Sequence, residues 1–379
     1  MYNALLLQAQ VSKIINITAG GLASALTASE KTTVTNLTVT GTIDARDFKI
    51  MRDGMPILAV LDLSGVTISA YSGTEGTLTG LTPYESNLIP HNAFRNQALD
   101  VGKVSLTSVT LPSSATAIGF SAFSKCSGLT SVVISQSVNY ILSSAFWGCT
   151  GLTTVAIPSS VTTIQDGAFA HCSGLTLISI PSSITSIEST VFSFCTGLKS
   201  VNIPSSVTAI GVSAFFGCSG LTSLTIPLSV NSIGSWAFNG CTGLSSITAE
   251  WFTPLNISSS SDVFGQVNKI SCKLNVPSGS ITAYQQANQW RDFANIITEV
   301  QVINSEKISL YPNPVTDGFR ISGIKRMSTI SVFDINGKLL LTKVIDRDEY
   351  ISVSSLPQGV YMVKISSEAG ILEKKIVKE

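Results

Sequence analysis

The sequence predicts a mainly β protein in two parts, a parallel solenoid of 23-residue repeats and a small C-terminal β-sandwich. Three observations predict this fold class. Six of the seven cysteines recur at intervals of 23 residues, and Phe, Gly-Leu and Ile positions keep the same interval. Residues 113–248 hold only four charged side chains, whereas residues 301–379 hold 20 and lack the repeat. The change in composition near residue 300 therefore marks a domain boundary.

The repeat consists of columns, meaning residues at the same position in successive units. The unit is A-F-x-x-C-[ST]-G-L-x-x-[VIL]-x-I-P-x-S-[VI]-x-x-I, and six copies follow without insertion or deletion. The cysteine column comprises Cys126, Cys149, Cys172, Cys195, Cys218 and Cys241. The phenylalanine column comprises Phe123, Phe146, Phe169, Phe192, Phe215 and Phe238.

One unit holds two short extended segments. Val155 and Ile157 alternate as in a strand buried on one face, and Pro158 ends that strand because proline donates no ladder hydrogen bond. Ile164 lies in the second segment. A single unit buries too few apolar side chains to offset the entropy of ordering its backbone, so units must stack and pair their strands in parallel.

Stacking gives the cysteine column a structural interpretation. Equivalent side chains of parallel units point the same way, which does not suit disulfide geometry. We therefore predict a buried column of free thiols that pack as small apolar groups, with a metal or redox column as the alternative. Cys272 lies outside the column, and the absence of any C-x-x-C pair gives no support to zinc, iron–sulfur or thioredoxin-like sites.

The unit resembles the BspA-like class of bacterial leucine-rich repeats, which occur in cell-surface proteins. The resemblance is tight over residues 104–248 and implies a right-handed leucine-rich-repeat solenoid. Residues 11–103 are predicted to form an N-terminal cap with degenerate repeats, because strand-like segments begin at Leu37 and Leu61, 24 residues apart. Between those segments, the residues around Phe48 suggest a short helix.

Residues 249–298 are predicted to hold a degenerate repeat and a C-terminal cap helix. Apolar side chains from Ala283 to Ile296 have helical spacing. Residues 299–307 would then be a linker. Beyond it, Ile330–Phe333 and the following strand flank an Asn-Gly turn at Gly337, which is typical of a β-hairpin.

Residues 308–379 also resemble the type A C-terminal sorting domain of the type IX secretion system. The resemblance rests on the motif residues Tyr311, Pro312, Asn313, Pro314, Gly337, Gly359, Tyr361, Lys374 and Lys375. It implies a Gram-negative protein that the type IX machinery carries across the outer membrane, after which the sorting domain is usually removed and the remainder is attached to surface lipopolysaccharide or released. The alternative is an ordinary β-sandwich that only ends the chain.

Composition limits localisation and partners. Residues 1–10 have an apolar run without a basic region before it, so they are either a signal-peptide remnant or an ordinary N-terminal segment. No stretch reaches the ~18 apolar residues of a membrane-spanning helix. The formal net charge of zero disfavours nucleic-acid binding, which needs a basic surplus. We expect a secreted protein or one on the outer-membrane surface.

No motif for catalysis or for a cofactor is present: the sequence lacks G-x-S-x-G, P-loop and H-E-x-x-H patterns. We therefore expect no enzyme activity, no metal and no cofactor. A carboxylate pair in the segments flanking the repeats stays open as an alternative.

Large aromatic side chains next to the phenylalanine column are candidate partner-binding residues, because aromatic residues are enriched at interface hot spots. With His171, which varies between repeats as a surface residue does, the set is Trp147, His171, Phe194, Phe216 and Trp236. The alternative is that these rings fill gaps between repeats. The outward strand positions are mostly small and hydroxylated, which suits a partner's backbone or only keeps the repeats soluble.

The leading functional prediction is a noncatalytic surface protein that mediates adhesion or protein–protein interaction. The alternative is an accessory protein that binds or degrades polysaccharide. A glycan-binding protein would need exposed aromatic rings in a row, and an enzyme would need a carboxylate cluster or a metal site. The ligand and the oligomeric state do not follow from the sequence.

Overall fold

The computed structural model describes residues 10–80, 82–298, 308–324, 328–335, 338–367 and 370–379. The predicted linker and most of the predicted signal remnant lie outside these residues. The fold divides into two units, and strands are the main element of both. The first unit extends to Thr248 and includes Leu255–Lys273 and Asn288–Asn295, and the second comprises Ala249–Pro254, Leu274–Ala287 and Ile296–Glu379.

The N-terminal part of the first unit consists of strands of unequal length with short helices between them. Leu37 pairs with Leu61 in parallel strands, and Phe48 lies in a short helix that follows the first of them. The strands are Ser12–Ile17, Asn36–Ile43, Val60–Ile68, Tyr71–Gly73, Thr82–Tyr84, Leu88–Ile89, Arg95–Asn96 and Val101–Gly102. The helices are Leu22–Ala25, Ala28–Thr33 and Ala45–Lys49, with a π-helical turn at Ile50–Gly54.

The regular repeats contribute two columns of parallel strands. Partners in these columns are 23 residues apart, as in Val155 with Ile178 and Ile118 with Ile141. The longer strands are Ser108–Thr110, Ser131–Val133, Thr154–Ala156, Leu177–Ser179, Ser200–Asn202, Ser223–Ile226 and Ser246–Ala249. The shorter strands are Ala117–Ile118, Tyr140–Ile141, Thr163–Ile164, Ser186–Ile187, Ala209–Ile210 and Ser232–Ile233. The predicted pairing between units is therefore confirmed.

A third line of hydrogen bonds joins the repeats beside the phenylalanine column. The amide of Phe169 donates to Val191 O at 3.0 Å, and the amide of His171 donates to Ser193 O at 2.7 Å. The same alternation recurs in the other regular repeats, so the segments between strands also bond to their neighbours. Buried backbone groups need such partners, and this need explains why the repeat length does not vary.

The phenylalanine column forms the centre of the core. Phe146 and Phe169 are fully buried, with ring centroids 5.3 Å apart and planes 5° apart. The stack ends in edge-on or tilted contacts, with Phe48 against Phe94 at one end and Trp290 against Phe264 at the other. Phe48 and Trp290 are themselves fully buried, so the stack does not end on an exposed ring.

The glycine column lies where the backbone of the preceding repeat comes too close to leave room for a side chain. A Cβ atom built on Gly174 would collide with the carbonyl oxygen of Thr150, and every glycine of this column has the same kind of neighbour. The column comprises Gly128, Gly151, Gly174, Gly197, Gly220 and Gly243. Here glycine serves close packing of backbone rather than an unusual backbone angle.

The predicted cap helix over residues 283–296 is only partly correct. The helix is Ile281–Gln286, and it is followed by a 3₁₀ turn at Trp290–Asp292 and a strand at Asn295–Thr298, while another strand, Lys273–Val276, precedes it. The helix ends early because Gln289 leaves helical geometry and its side chain binds backbone groups of Ile257, Ser260 and Val263. No helix among the described residues is long and apolar enough to span a membrane.

The C-terminal residues form two antiparallel sheets. One contains Ser309–Tyr311, Gly318–Ser322 and Glu349–Ser352; the other contains Ser328–Phe333, Leu339–Ile345, Gly359–Ser367 and Gly370–Lys378. The predicted hairpin is present, since Val332 pairs with Leu341, although its turn at Gly337 lies outside the described residues. Phe319 from one sheet and Val363 from the other belong to the same buried core.

Candidate functional site

Four side chains from successive repeats form a continuous row of rings, which we call the aromatic row: Trp147, His171, Phe194 and Phe216. Successive ring centroids are 4.9, 4.7 and 5.2 Å apart. Phe194 is 40% exposed and the other three are half-buried. The structure thus brings together four of the five aromatic candidates that the sequence singles out.

Two of these rings stand on strained backbone. His171 and Phe194 have φ of 60° and 57°, in the left-handed region that disfavours side chains with a Cβ. Equivalent positions in other repeats are Gly148, Gly217 and Gly240, all with positive φ. The hydrogen bond from this amide to the next repeat imposes the geometry, so glycine is the unstrained residue here.

Lys125 occupies the same column and extends the row at its N-terminal end. Its φ is 59°, and its Nζ lies over the Trp147 ring, 5.5 Å from the centroid. Such a cation–π contact stabilises by roughly 0.5–1 kcal/mol at an exposed site. The row therefore begins with a positive charge and continues with apolar rings.

His171 lies between Trp147 and Phe194. Desolvation lowers the pKa of its imidazole from the usual value. The ring is consequently neutral at neutral pH. Phe194 stacks on it with planes 20° apart, whereas Trp147 packs against it at an interplanar angle of 55°. Trp236 is 45% exposed with φ of 58°, but among the described residues no ring contact joins it to the row.

The outward side chains of the longer strands form a separate surface. The five strands from Ser131–Val133 to Ser223–Ile226 begin with the pattern exposed, buried, exposed, as in Thr154–Ala156. Most exposed positions carry small or hydroxylated side chains, whereas Val133 and Leu177 are apolar and more than half exposed. This face lacks the continuous ring contacts of the aromatic row.

Comparison with protein families identifies the repeat. The profile described as BspA type leucine rich repeat region matches residues 87–222 and 209–305 in 6 copies, which is more than half of the chain. The chain belongs to the BspA-type leucine-rich repeat family. Its repeats therefore start before the perfectly periodic segment and continue beyond it.

Solved structures similar to this BspA-type chain are bacterial leucine-rich repeat proteins. A leucine-rich repeat protein of T. pallidum is 31% identical, over 41% of this chain and 71% of that chain, with a TM-score of 0.38. A Eubacterium ventriosum protein is 19% identical, over 55% of this chain and 60% of that chain, with a TM-score of 0.38. A leucine rich cell surface protein of Faecalibacterium prausnitzii is 21% identical, over 72% of this chain and 85% of that chain, with a TM-score of 0.29. The curated proteins give no match.

The C-terminal sheets match the profile described as secretion system C-terminal sorting domain, over residues 309–379. In the BspA-type chain the motif residue Asn313 bonds to the last strand. Its Nδ2 donates to Lys375 O at 3.0 Å, and its Oδ1 accepts from the amide of Val377 at 2.9 Å. An amide both donates and accepts, which explains an asparagine at this position.

Other motif residues hold turns of the same sheets. The Tyr361 hydroxyl donates to Pro357 O at 2.6 Å, which fixes the turn before Gly359. Pro312 and Pro314 each follow a cis peptide bond, on either side of Asn313. Tyr311 is 48% exposed, Lys375 is exposed and Lys374 is half-buried, so these three side chains are accessible.

All seven cysteines are free and buried. In the cysteine column each thiol lies against the carbonyl oxygen of the preceding repeat's Phe, as in Cys172 Sγ to Phe146 O at 3.1 Å. The thiols therefore act as weak hydrogen-bond donors between repeats, in addition to filling space. Burial raises the pKa of the Cys172 thiol to about 12, so it is protonated at neutral pH.

Thiol titration should follow this burial. We expect almost no reaction of the native protein with a thiol reagent at pH 8, because the reactive thiolate is suppressed and shielded. Seven thiols should react once the protein is unfolded in guanidinium chloride. Only one reactive thiol, or none, in denaturant would mean that the column is oxidised or metal-bound.

The described residues contain no group of three or more His, Cys, Asp or Glu side chains placed to hold a metal ion. Neither matched family description names an enzyme. Sequence reasoning missed the left-handed column, although Gly148, Gly217 and Gly240 carry its signal. It included His171 among the candidates only as a variable surface residue, because the contact of His171 with Trp147 in the adjacent column does not show in a periodic pattern.

Proposed function

We propose that this protein is a noncatalytic cell-surface interaction protein, which binds an extracellular protein through the aromatic row and mediates adhesion. Its BspA-type repeats would form a right-handed solenoid over residues 104–248, between caps at 11–103 and 249–298. The C-terminal residues, 308–379, would be an Ig-like sandwich that the type IX machinery recognises for export to the outer-membrane surface of a Gram-negative bacterium.

The observation that carries the proposal is the strained backbone beneath exposed rings. A left-handed conformation costs roughly 1–2 kcal/mol for a residue with a Cβ, and Gly217 and Gly240 avoid that cost in other repeats. Positive φ recurs at two positions of every regular repeat, mostly on Ser, Thr or Gly, so the conformation itself belongs to the repeat. The fold does not require a large ring at these positions, and retaining His171 and Phe194 there supports a role outside folding.

A protein partner suits the row better than a glycan does. Sugars bind aromatic side chains by lying flat on an exposed ring face. The imidazole of His171 has Trp147 on one side and Phe194 on the other, with centroids within 5 Å. The faces that His171 and Phe194 turn to each other are covered by stacking, and the ring edges left exposed fit between the apolar side chains of a peptide.

The test compares Phe194→Gly with wild type on arrays of extracellular matrix proteins, surface proteins and glycans. We expect the affinity for the protein partner to fall at least about tenfold, in line with a hot-spot residue. The melting temperature should change little, because relief of backbone strain offsets the lost ring contacts.

Leu177→Ser is the matched control, since it removes an exposed apolar side chain from the sheet face and leaves the row intact. It should bind as wild type. Unchanged binding by Phe194→Gly, or a large fall in its melting temperature, would show that the rings are packing residues. If a glycan on the array bound the wild type and lost affinity in Phe194→Gly, the partner would be a polysaccharide and not a protein.

A further inference from the structure

An open pocket of about 340 Å³ lies at the N-terminal end of the aromatic row. It contains two cations, one carboxylate, two aromatic rings and three serine hydroxyls. The lining residues are Arg95, Asp100, Phe120, Ser121, Ser124, Lys125, Ser144 and Trp147. Because Trp147 belongs to both features, the pocket and the row form one continuous surface.

The two cations of the pocket share one carboxylate. Arg95 Nη2 is 2.7 Å from Asp100 Oδ1, and Lys125 Nζ is 2.6 Å from Asp100 Oδ2. The ion pairs with Lys125 and Arg95 lower the pKa of Asp100, so it is charged at neutral pH. The pocket therefore carries one net positive charge in repeats that are almost uncharged.

Asp100 is the most accessible member of this cluster. Its side chain is 59% exposed, against 20% for Arg95 and 32% for Lys125. Its φ is 53°, so it shares the left-handed strain seen at Lys125. Because Asp100 is the most exposed of the three side chains, it can turn toward solvent and leave both cations to an incoming carboxylate.

We propose that the pocket binds a carboxylate side chain, Asp or Glu, of the protein partner, and that the partner's next apolar side chains lie along the aromatic row. Asp100 occupies the place of that carboxylate in the free protein. The three distances between successive ring centroids together equal the length of about five residues of an extended peptide, at ~3.3 Å per residue. This inference rests on the proposed protein-binding function.

The probe is an acetylated and amidated peptide, Gly-Ser-Glu-Phe-Leu-Phe-Ser-Gly, compared with the same peptide carrying Gln in place of Glu. Affinity is measured by calorimetry at low and high salt. We expect wild type to bind the Glu peptide about fivefold more tightly, and the difference to shrink at high salt because partly exposed charges are screened.

Two variants change this preference in opposite directions. Lys125→Met should abolish the difference between the peptides, because it removes a cation. Asp100→Asn should raise the affinity for the Glu peptide about threefold or more, since a competing charge is lost. If the ion pair served only folding, Asp100→Asn would not raise the affinity for the Glu peptide. Lys199→Met, an exposed lysine outside the pocket, is the control and should leave both affinities unchanged.

Equal affinity for the two peptides, or no gain in Asp100→Asn, would overturn the inference. The inference would also be overturned if the protein bound neither peptide but bound tetragalacturonate, and if this binding required Lys125. The carboxylate would then come from an acidic glycan. If the array partner depends on Phe194 but is indifferent to Lys125→Met and Asp100→Asn, the pocket assignment fails while the proposed function stands.

Discussion

Gly174→Ala is expected to lower the free energy of unfolding by about 3 kcal/mol, the upper end of the range for an overpacked site. The added methyl group would collide with Thr150 O and come within 3.1 Å of Leu152 O. These carbonyls belong to the preceding repeat, which is held nearby by the hydrogen bond from the Thr176 amide to Thr153 O. The repeats would have to separate along one edge. Chemical denaturation followed by circular dichroism measures the loss.

Gly148→Ala is the matched control for this substitution. Its φ is 70°, but the three atoms nearest to an added Cβ belong to Lys125 and lie 3.7 Å or more away. The expected cost is about 1–2 kcal/mol, from the left-handed backbone alone. A smaller loss of unfolding free energy in Gly174→Ala than in Gly148→Ala would show that the backbone of the preceding repeat moves to make room. The close approach would then not be the reason for glycine in this column.

Phe169→Ala is expected to cost about 3–5 kcal/mol, as for other fully buried aromatic side chains. The ring is 0% exposed and stacks on Phe146 at 5.3 Å and on Phe192 at 6.0 Å. Its loss opens a cavity in the middle of the array. Because each repeat contacts only its neighbours, the two halves should then unfold at different denaturant concentrations.

Hydrogen exchange along the chain gives the readout, since the halves would lose protection separately. Phe120→Ala is the control: it has the same chemistry, but its side chain is 44% exposed. Its effect should stay within about 1 kcal/mol. A single cooperative transition in Phe169→Ala, with a loss no greater than in the control, would mean that the ring stack does not couple the repeats.

The sequence predicts the repeat well because the core imposes one residue type on each column. The parallel pairing of Val155 with Ile178 follows directly from the 23-residue interval. The family and the sorting domain were also predicted from motifs, and the profile matches confirm both. These features depend on local pattern and burial, which a single sequence carries.

Three features needed the structure. The cap helix stops at Gln286 because Gln289 binds the backbone of a distant loop, and periodicity does not reveal such contacts. The thiol of Cys172 bonds to a carbonyl whose position depends on how repeats stack. The aromatic row joins side chains from two adjacent columns. The 23-residue interval relates His171 to Phe194, but it does not show that Trp147 and Phe216 of the adjacent column contact them.

The constant 23-residue register also has a consequence for how such a chain changes over generations. Because Val155 pairs with Ile178 as Ile178 pairs with Val201, a duplicated or deleted unit meets the same pairing register on both sides. Recombination within the gene can therefore alter copy number without disturbing either end. Each added copy brings one more position for a ring, so the aromatic row lengthens or shortens in whole steps.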